Sequence, residues 1–259
     1  GVQNTIYNKI FAKLKNRFDN MSIQEAWVDG FPLEYHLKQW DQPKQSTKAF
    51  KNFINAKVKE KTIILDLAAG TGAPTYYLAK HFPETSFIAS DHSKKCVEIG
   101  RKIIEEKTIP NLSIKRLDWF KLIAETTFDG LISLQSLSWL PELEKPLKIA
   151  LQNLNPNWFA FTSLFYEGDI TFNIDVRVHK NEERMQYNIY SLKHLERIAR
   201  SLGYQVTSAE KFNIDIEIPK PENGDFMGTY TRKFEGDAHL TQISGALLMP
   251  WYMVMIEKC

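Results

Sequence analysis

Residues 63–75 read Ile-Ile-Leu-Asp-Leu-Ala-Ala-Gly-Thr-Gly-Ala-Pro-Thr, and the fold is decided there. An apolar run over 62–67 carries one acid, Asp66, near its end. A loop of small residues follows, with Gly70 and Gly72. Pro74 then fits the first turn of a helix, where its missing N–H costs nothing. Strand, glycine loop and helix in this order open a nucleotide-binding α/β domain.

The acid discriminates between nucleotides. A dinucleotide loop brings a pyrophosphate against the helix N-terminus, and a third glycine lets helix and strand close together. Here that third position is Thr75, and a carboxylate at Asp66 would repel phosphates. S-adenosylmethionine carries no phosphate and brings a sulfonium cation and an amino-acid ammonium, so an acid at the strand end suits it. The spelling Asp66-Leu67-Ala68-Ala69-Gly70-Thr71-Gly72 resembles the first motif of class I S-adenosylmethionine-dependent methyltransferases.

Outward from this stretch, strands are expected at 62–67, 86–90, 112–117, 128–134 and 158–165, separated by helices at 74–81, 93–107 and within 141–154. That alternation predicts a doubly wound parallel sheet. A helix at 192–202, a strand at 204–212 and a last strand at 251–257 follow. Upstream, apolar spacing predicts a helix over 5–18 and one or two over 33–53, broken near Pro43, with Ser46 as a cap. The family resemblance implies a Rossmann-like α/β fold: seven strands, mostly parallel, the last antiparallel. The whole chain, 1–259, is read as one domain. Residues 1–55 form a helical N-terminal cap, and 56–212 with 246–259 form the core. Segments 166–190 and 213–245 are substrate-side insertions, the second a C-terminal β insertion with a hairpin around Glu235-Gly236-Asp237.

The resemblance also implies the cofactor site. Asp66, Ala68, Gly70 and Gly72 approach the methionine part. Asp91, after strand two, accepts the ribose hydroxyls, with His92 beside the adenosine. Asp118 takes the adenine amine, Trp119 covers the ring, and Gln135 lies under the methionine. Each has a plainer reading: Asp66 as a loop cap, Asp91 as an N-cap, Trp119 as a core aromatic. The co-occurrence of acids at three successive strand ends favours the cofactor.

The acceptor is read from weaker signals. Methyl transfer from a sulfonium needs a base only when the nucleophile starts protonated. His36 and Tyr190 are the catalytic candidates, among other histidines and Glu167. Trp40, Tyr190 and Tyr230 are candidate pocket walls, and Arg177 and Arg232 candidate anion binders. Solvated strand faces explain the arginines equally well.

The 259 residues carry a net charge of +2 and are 43% hydrophobic. Such a balance gives no argument for nucleic-acid binding, and no apolar run approaches a membrane span. Cys96 and Cys259 lack metal-ligand spacing, so no metal is expected. No cationic–apolar leader pattern is seen, so a cytoplasmic location is expected. What remains is a small polar, anionic acceptor: a phosphate or phosphoramidate, a sugar nucleotide or a sugar acid. The tail, with Gly228-Thr229-Tyr230-Thr231 and Pro250-Trp251-Tyr252, resembles bacterial methyltransferases of surface-polysaccharide modification, which implies a capsule precursor. A non-catalytic, cofactor-binding partner of another methyltransferase is the alternative.

Overall fold

The structure, a computed structural model, describes residues 27–28, 31–123, 126–179, 182–222 and 227–259. The helix expected over 5–18 lies outside them.

Seven strands build the main sheet: β1 (Ile63–Leu67), β2 (Ser86–Asp91), β3 (Leu112–Arg116), β4 (Gly130–Leu134), β5 (Trp158–Tyr166), β6 (Tyr204–Lys211) and β7 (Trp251–Lys258). Their spatial order is β6-β7-β5-β4-β1-β2-β3. β1 to β5 pair in parallel, and β7 runs antiparallel between β5 and β6. A two-residue strand, Tyr190–Ser191, extends the sheet along the end of β5. β5 reads Trp-Phe-Ala-Phe-Thr-Ser-Leu-Phe-Tyr and buries every residue before Tyr166. An unbroken apolar run of this kind belongs to a strand covered on both faces.

Helices α1 (Leu33–Lys38), α2 (Gln45–Ile54), α3 (Ala73–His81), α4 (Lys94–Lys107), α5 (Glu144–Leu154) and α6 (Leu192–Ser201) supply that cover. One core joins Phe50, Leu78, Val97 and Ile103 of α2, α3 and α4 to Ile64, Phe87 and Ile114. A second joins Leu147 and Leu151 of α5 and Leu195 of α6 to Leu65, Leu131, Phe159 and Val254. Successive residues of one strand thus point into different cores, the period-two alternation of a sheet. α4 begins on a side-chain cap, Ser93 accepting from the Cys96 N–H at 3.2 Å, and α6 on Ser191, accepting from His194 at 3.1 Å. α2 differs from expectation. Its N-cap is Lys44, which makes no side-chain cap, and Ser46 reaches another partner described below.

The insertions are β structure. Asp175–Val178 and Glu183–Gln186 form one hairpin. Thr229–Arg232, Thr241–Ser244 and Leu247–Leu248 form a three-stranded sheet, with Gly236 at φ +87° in the turn. The strand order reverses between β1 and β4, the place where doubly wound sheets bind ligands.

Candidate cofactor cleft

At the carboxyl end of β1 the backbone turns sharply. Ala68, Gly70 and Gly72 take φ of +58°, +59° and +86°. Glycine adopts this region freely, whereas Ala68 does so at a cost. A Cβ on Gly72 would find only ordinary contacts, 3.5 Å or more from Ala89, Ile114 and Trp40, so dihedral freedom explains that glycine and space does not. Space matters at Gly100 of α4. A Cβ there would lie 2.3 Å from the Thr71 carbonyl oxygen. This glycine, rather than a third one in the loop, admits the close approach of helix and loop. The sequence reading missed it, though a glycine inside an amphipathic helix was its signal.

Asp91 fastens the loop to the next strand. Its Oδ2 accepts from the Gly70 N–H at 2.8 Å and its Oδ1 from Ser93 N–H at 2.9 Å. His92 stands at the same rim, its side chain 74% exposed and Nδ1 3.4 Å from Asp91 Oδ1. Ala69 N–H meets the Ser90 carbonyl at 2.8 Å, a second tie between the two strand ends.

Asp66 is not at the surface of the cleft. It is only 1% exposed, and its Oδ2 accepts from Thr75 Oγ1 at 2.6 Å. Its Oδ1 is buried with no partner among the described residues. Burial, opposed by the Thr75 bond and aided by the neighbouring Asp91 charge, raises its pKa to about 7. The acid therefore ties β1 to α3 from beneath the loop, with one oxygen unsatisfied. The position of Asp118 is plainer. Oδ1 caps a short 3-10 turn through Phe120 N–H at 3.0 Å, and Lys121 lies 3.4 Å from Oδ2. The expectation that Trp119 covers an adenine ring is corrected. Its side chain is buried, its Nε1 donates to the Pro146 carbonyl at 2.9 Å, and it packs on Phe159.

Gln135, at φ +58°, ends β4. Its N–H donates to the carbonyl of Thr162 at 3.0 Å and to Thr162 Oγ1 at 2.8 Å. Its side chain accepts from Lys44 Nζ at 3.1 Å and donates to Ser46 Oγ at 3.4 Å. The start of α2 is thereby drawn over the switch point. Lys44 also sits 5.2 Å from the Tyr35 ring centre, and His36 meets Tyr35 edge-on.

Three acceptor-side expectations are corrected, those of Trp40, Tyr190 and Tyr230 as pocket walls, and the two arginines are exposed. Trp40 is buried against Tyr76 and donates to Thr71 Oγ1 at 3.1 Å, so it backs the glycine loop. Tyr190 is buried and donates to the Leu140 carbonyl at 2.8 Å. Its hydroxyl is taken up by that carbonyl, away from solvent, and burial pushes its pKa up to about 12. Arg177 pairs with Glu182 on the exposed hairpin. Tyr230, buried in the three-stranded sheet, reaches the Gly245 carbonyl at 3.3 Å, while Arg232 is exposed on the same strand. The two arginines sit on different sheets and the geometry gives them no common ligand. Sequence reasoning missed Lys44, Ser46 and Asn188. The last, buried, donates to Leu140 and accepts from Ile174 N–H, latching the insertion to the turn after β4.

Residues 64–157 match the family described as a methyltransferase domain. This stretch is a class I, S-adenosylmethionine-dependent methyltransferase domain. The solved structure of YcgJ from Bacillus subtilis matches 82% of the chain and 97% of its own at a TM-score of 0.56 and 14% identity, which bears on the fold. Curated relatives match over shorter spans. The uncharacterized protein MJ0906 of Methanocaldococcus jannaschii is 25% identical over 151 residues, 57% of this chain and 41% of that protein. Malonyl-[acyl-carrier protein] O-methyltransferase of Priestia megaterium is 29% identical over 117 residues, 45% of this chain and 40% of that enzyme. The chain thus spans about two fifths of the length of these relatives. The matched stretch ends before β5, so both insertions lie outside it. No helix among the described residues is long and apolar enough to cross a membrane.

Proposed function

We propose that the chain binds S-adenosylmethionine across the carboxyl ends of β1, β2 and β4 and moves its methyl group to a polar, anionic acceptor. The observation that carries this reading is the tie from Asp91 to the Gly70 amide beside the unsatisfied Asp66 oxygen. A buried carboxyl with a lone oxygen and a pKa near neutrality gains from a nearby cation, which favours its ionised form. The cofactor's ammonium and sulfonium are such cations, and a pyrophosphate is not.

Asp91 and the Gly70–Gly72 backbone would hold the ribose and methionine parts, Asp118 the adenine edge and Gln135 the methyl end. When bound, S-adenosylmethionine supplies an electrophilic methyl whose sulfur leaves neutral, so no acid is required. The protein's task is to align the nucleophile and keep water out. Lys44, held on Gln135, is the cation beside that end, and it would fix an anionic oxygen by charge-assisted hydrogen bonding. An oxyanion needs no base, which suits the loss of Tyr190 as a candidate. The Priestia megaterium relative, an O-methyltransferase, is consistent with an oxygen nucleophile. A phosphate, a sugar acid or a capsule-type precursor fits this reading.

Titration calorimetry tests it. S-adenosylhomocysteine should bind in the micromolar range and NADH should not. NADH binding without S-adenosylhomocysteine binding would overturn the reading.

A further inference from the structure

A cavity lies away from the residues of the cofactor cleft. Its volume is about 800 Å³, inside the roughly 300–1,000 Å³ span of small-molecule sites. Its floor is the carboxyl edge of the sheet's other half: Tyr166 at the end of β5, Trp251 at the start of β7 and Lys211 at the end of β6. The insertions make its walls, with Ile174 and Ile189 on one side and Leu247 and Met249 on the other.

Three observations point to a ligand. First, the lining is apolar and open to solvent. Tyr166, Phe172, Phe234 and Leu248 all face it while 43%, 43%, 49% and 54% exposed. Large apolar side chains gathered at one exposed site mark binding surfaces. Second, Trp251 walls the cavity, is itself buried, and leaves its Nε1–H without a partner among the described residues. A buried donor left unpaired is costly, and a ligand oxygen would relieve it. Third, Lys211 and His239 share the lining. His239 is 3.6 Å from Asp215, and Lys211 pairs with no carboxylate among the described residues.

The cavity is also within reach of the chemistry. Gln135 bonds to Thr162 of β5, and Trp251 pairs with Leu164 across the next strand. Two strand spacings, about 10 Å, separate Gln135 from β7. One apolar cluster, holding Trp139, Tyr187, Met249 and Trp251, bridges that interval. Between the aromatic rings the lining is aliphatic (Ile174, Ile189, Ile214, Leu240, Leu247 and Leu248) with one methionine, Met249, and such branched and thioether side chains adapt to a flexible chain.

We propose that this cavity holds the acyl chain of the methyl acceptor, a carbonyl oxygen of which pairs with Trp251 Nε1–H. The inference rests on the methyl-transfer reading and narrows its acceptor to an amphipath: an anionic group toward Lys44 and an apolar tail over β5, β7 and β6.

Calorimetry with two probes, dodecanoic acid and the dodecanoyl thioester of N-acetylcysteamine, tests it alongside S-adenosylhomocysteine. The wild-type chain should bind at least one probe, the preferred one telling a free acid from a carried acyl group. Ala246→Trp and Ala238→Trp fill the cavity from exposed positions, so folding is not at risk. Each should weaken the probe at least tenfold and leave S-adenosylhomocysteine unchanged. Probe binding undiminished in both variants would mean adsorption elsewhere and overturn the proposal. So would S-adenosylhomocysteine binding with no probe binding, though the cofactor reading would then stand. Probe binding blocked by the tryptophans, with no S-adenosylhomocysteine binding, would keep the cavity as an acyl site and sink the cofactor reading.

Discussion

The two halves of the sheet's carboxyl edge are built differently. On the β1–β2 side, short loops are tied by main-chain groups: Gly70 N–H to Asp91, Ala69 N–H to Ser90, and the Ser90 and Ser133 hydroxyls to the Asp66 and Leu67 carbonyls. On the β5–β7 side, long insertions close through distant pairings, Phe172 with Ile189 and Ile214 with Leu240, and leave apolar side chains uncovered. Loops this short, pinned to the strand ends by Asp91, Ser90 and Ser133, are held in one geometry. A shell of insertions takes its shape from its side chains and changes with them. The first half suits a fixed cofactor, and on the reading proposed above the second chooses the acceptor.

Asp66 is the sharpest place to break the first half. Its carboxyl has a folded pKa of about 7 against a reference of 3.8. Below pH 4 both folded and unfolded states are protonated and nothing is lost. As pH rises from about 4 to 7 only the unfolded chain gives up the proton, so stability falls, and above 7 the loss is constant. Asp66→Asn removes that loss. It should raise stability at pH 8 by up to about 4 kcal/mol, the three-unit shift converted, and show no gain near pH 4. Denaturant melts across that range check the slope. The same variant should bind S-adenosylhomocysteine more weakly, because the ammonium loses its anion. Unchanged affinity would reduce Asp66 to a strand–helix tie.

Asp91→Ala has the next largest effect. It orphans the Gly70 and Ser93 amides and removes the proposed ribose acceptor. Hydrogen bonds to a charged group contribute about 1.5–3 kcal/mol, so affinity for S-adenosylhomocysteine should fall roughly 10- to 150-fold. A folded variant with wild-type affinity would remove the ribose role and leave only the loop tie.

The same contrast explains what was legible. β1 and its loop were readable because every requirement there is local. The apolar run, the left-handed turn and Pro74 in the first helical turn fall within thirteen residues. Trp119 misled because its neighbour Asp118 marks a strand end, whereas the ring's burial is set by Phe159 and Pro146, far along the chain. Lys44 was invisible for a like reason: its partner Gln135 is 91 positions away. The cavity depends on segments from 166 to 251 meeting in space, and no spacing within any one of them announces it.

The smallest expected effect concerns the anion site. Arg177 is 45% exposed and already paired with Glu182. Exposed pairs contribute about 0–1 kcal/mol, so Arg177→Ala should shift stability by less than about 0.5 kcal/mol and leave the acceptor KM unchanged. Lys44→Ala, by contrast, takes the cation from the Gln135 side of the cleft and should raise that KM at constant S-adenosylhomocysteine affinity. Steady-state kinetics on both variants decide between the two places. A raised KM in Arg177→Ala with Lys44→Ala at the wild-type value would move the anion site onto the hairpin. The acceptor's charged end would then lie beyond the acyl cavity rather than over β4, and the methyl group would have to reach a different atom.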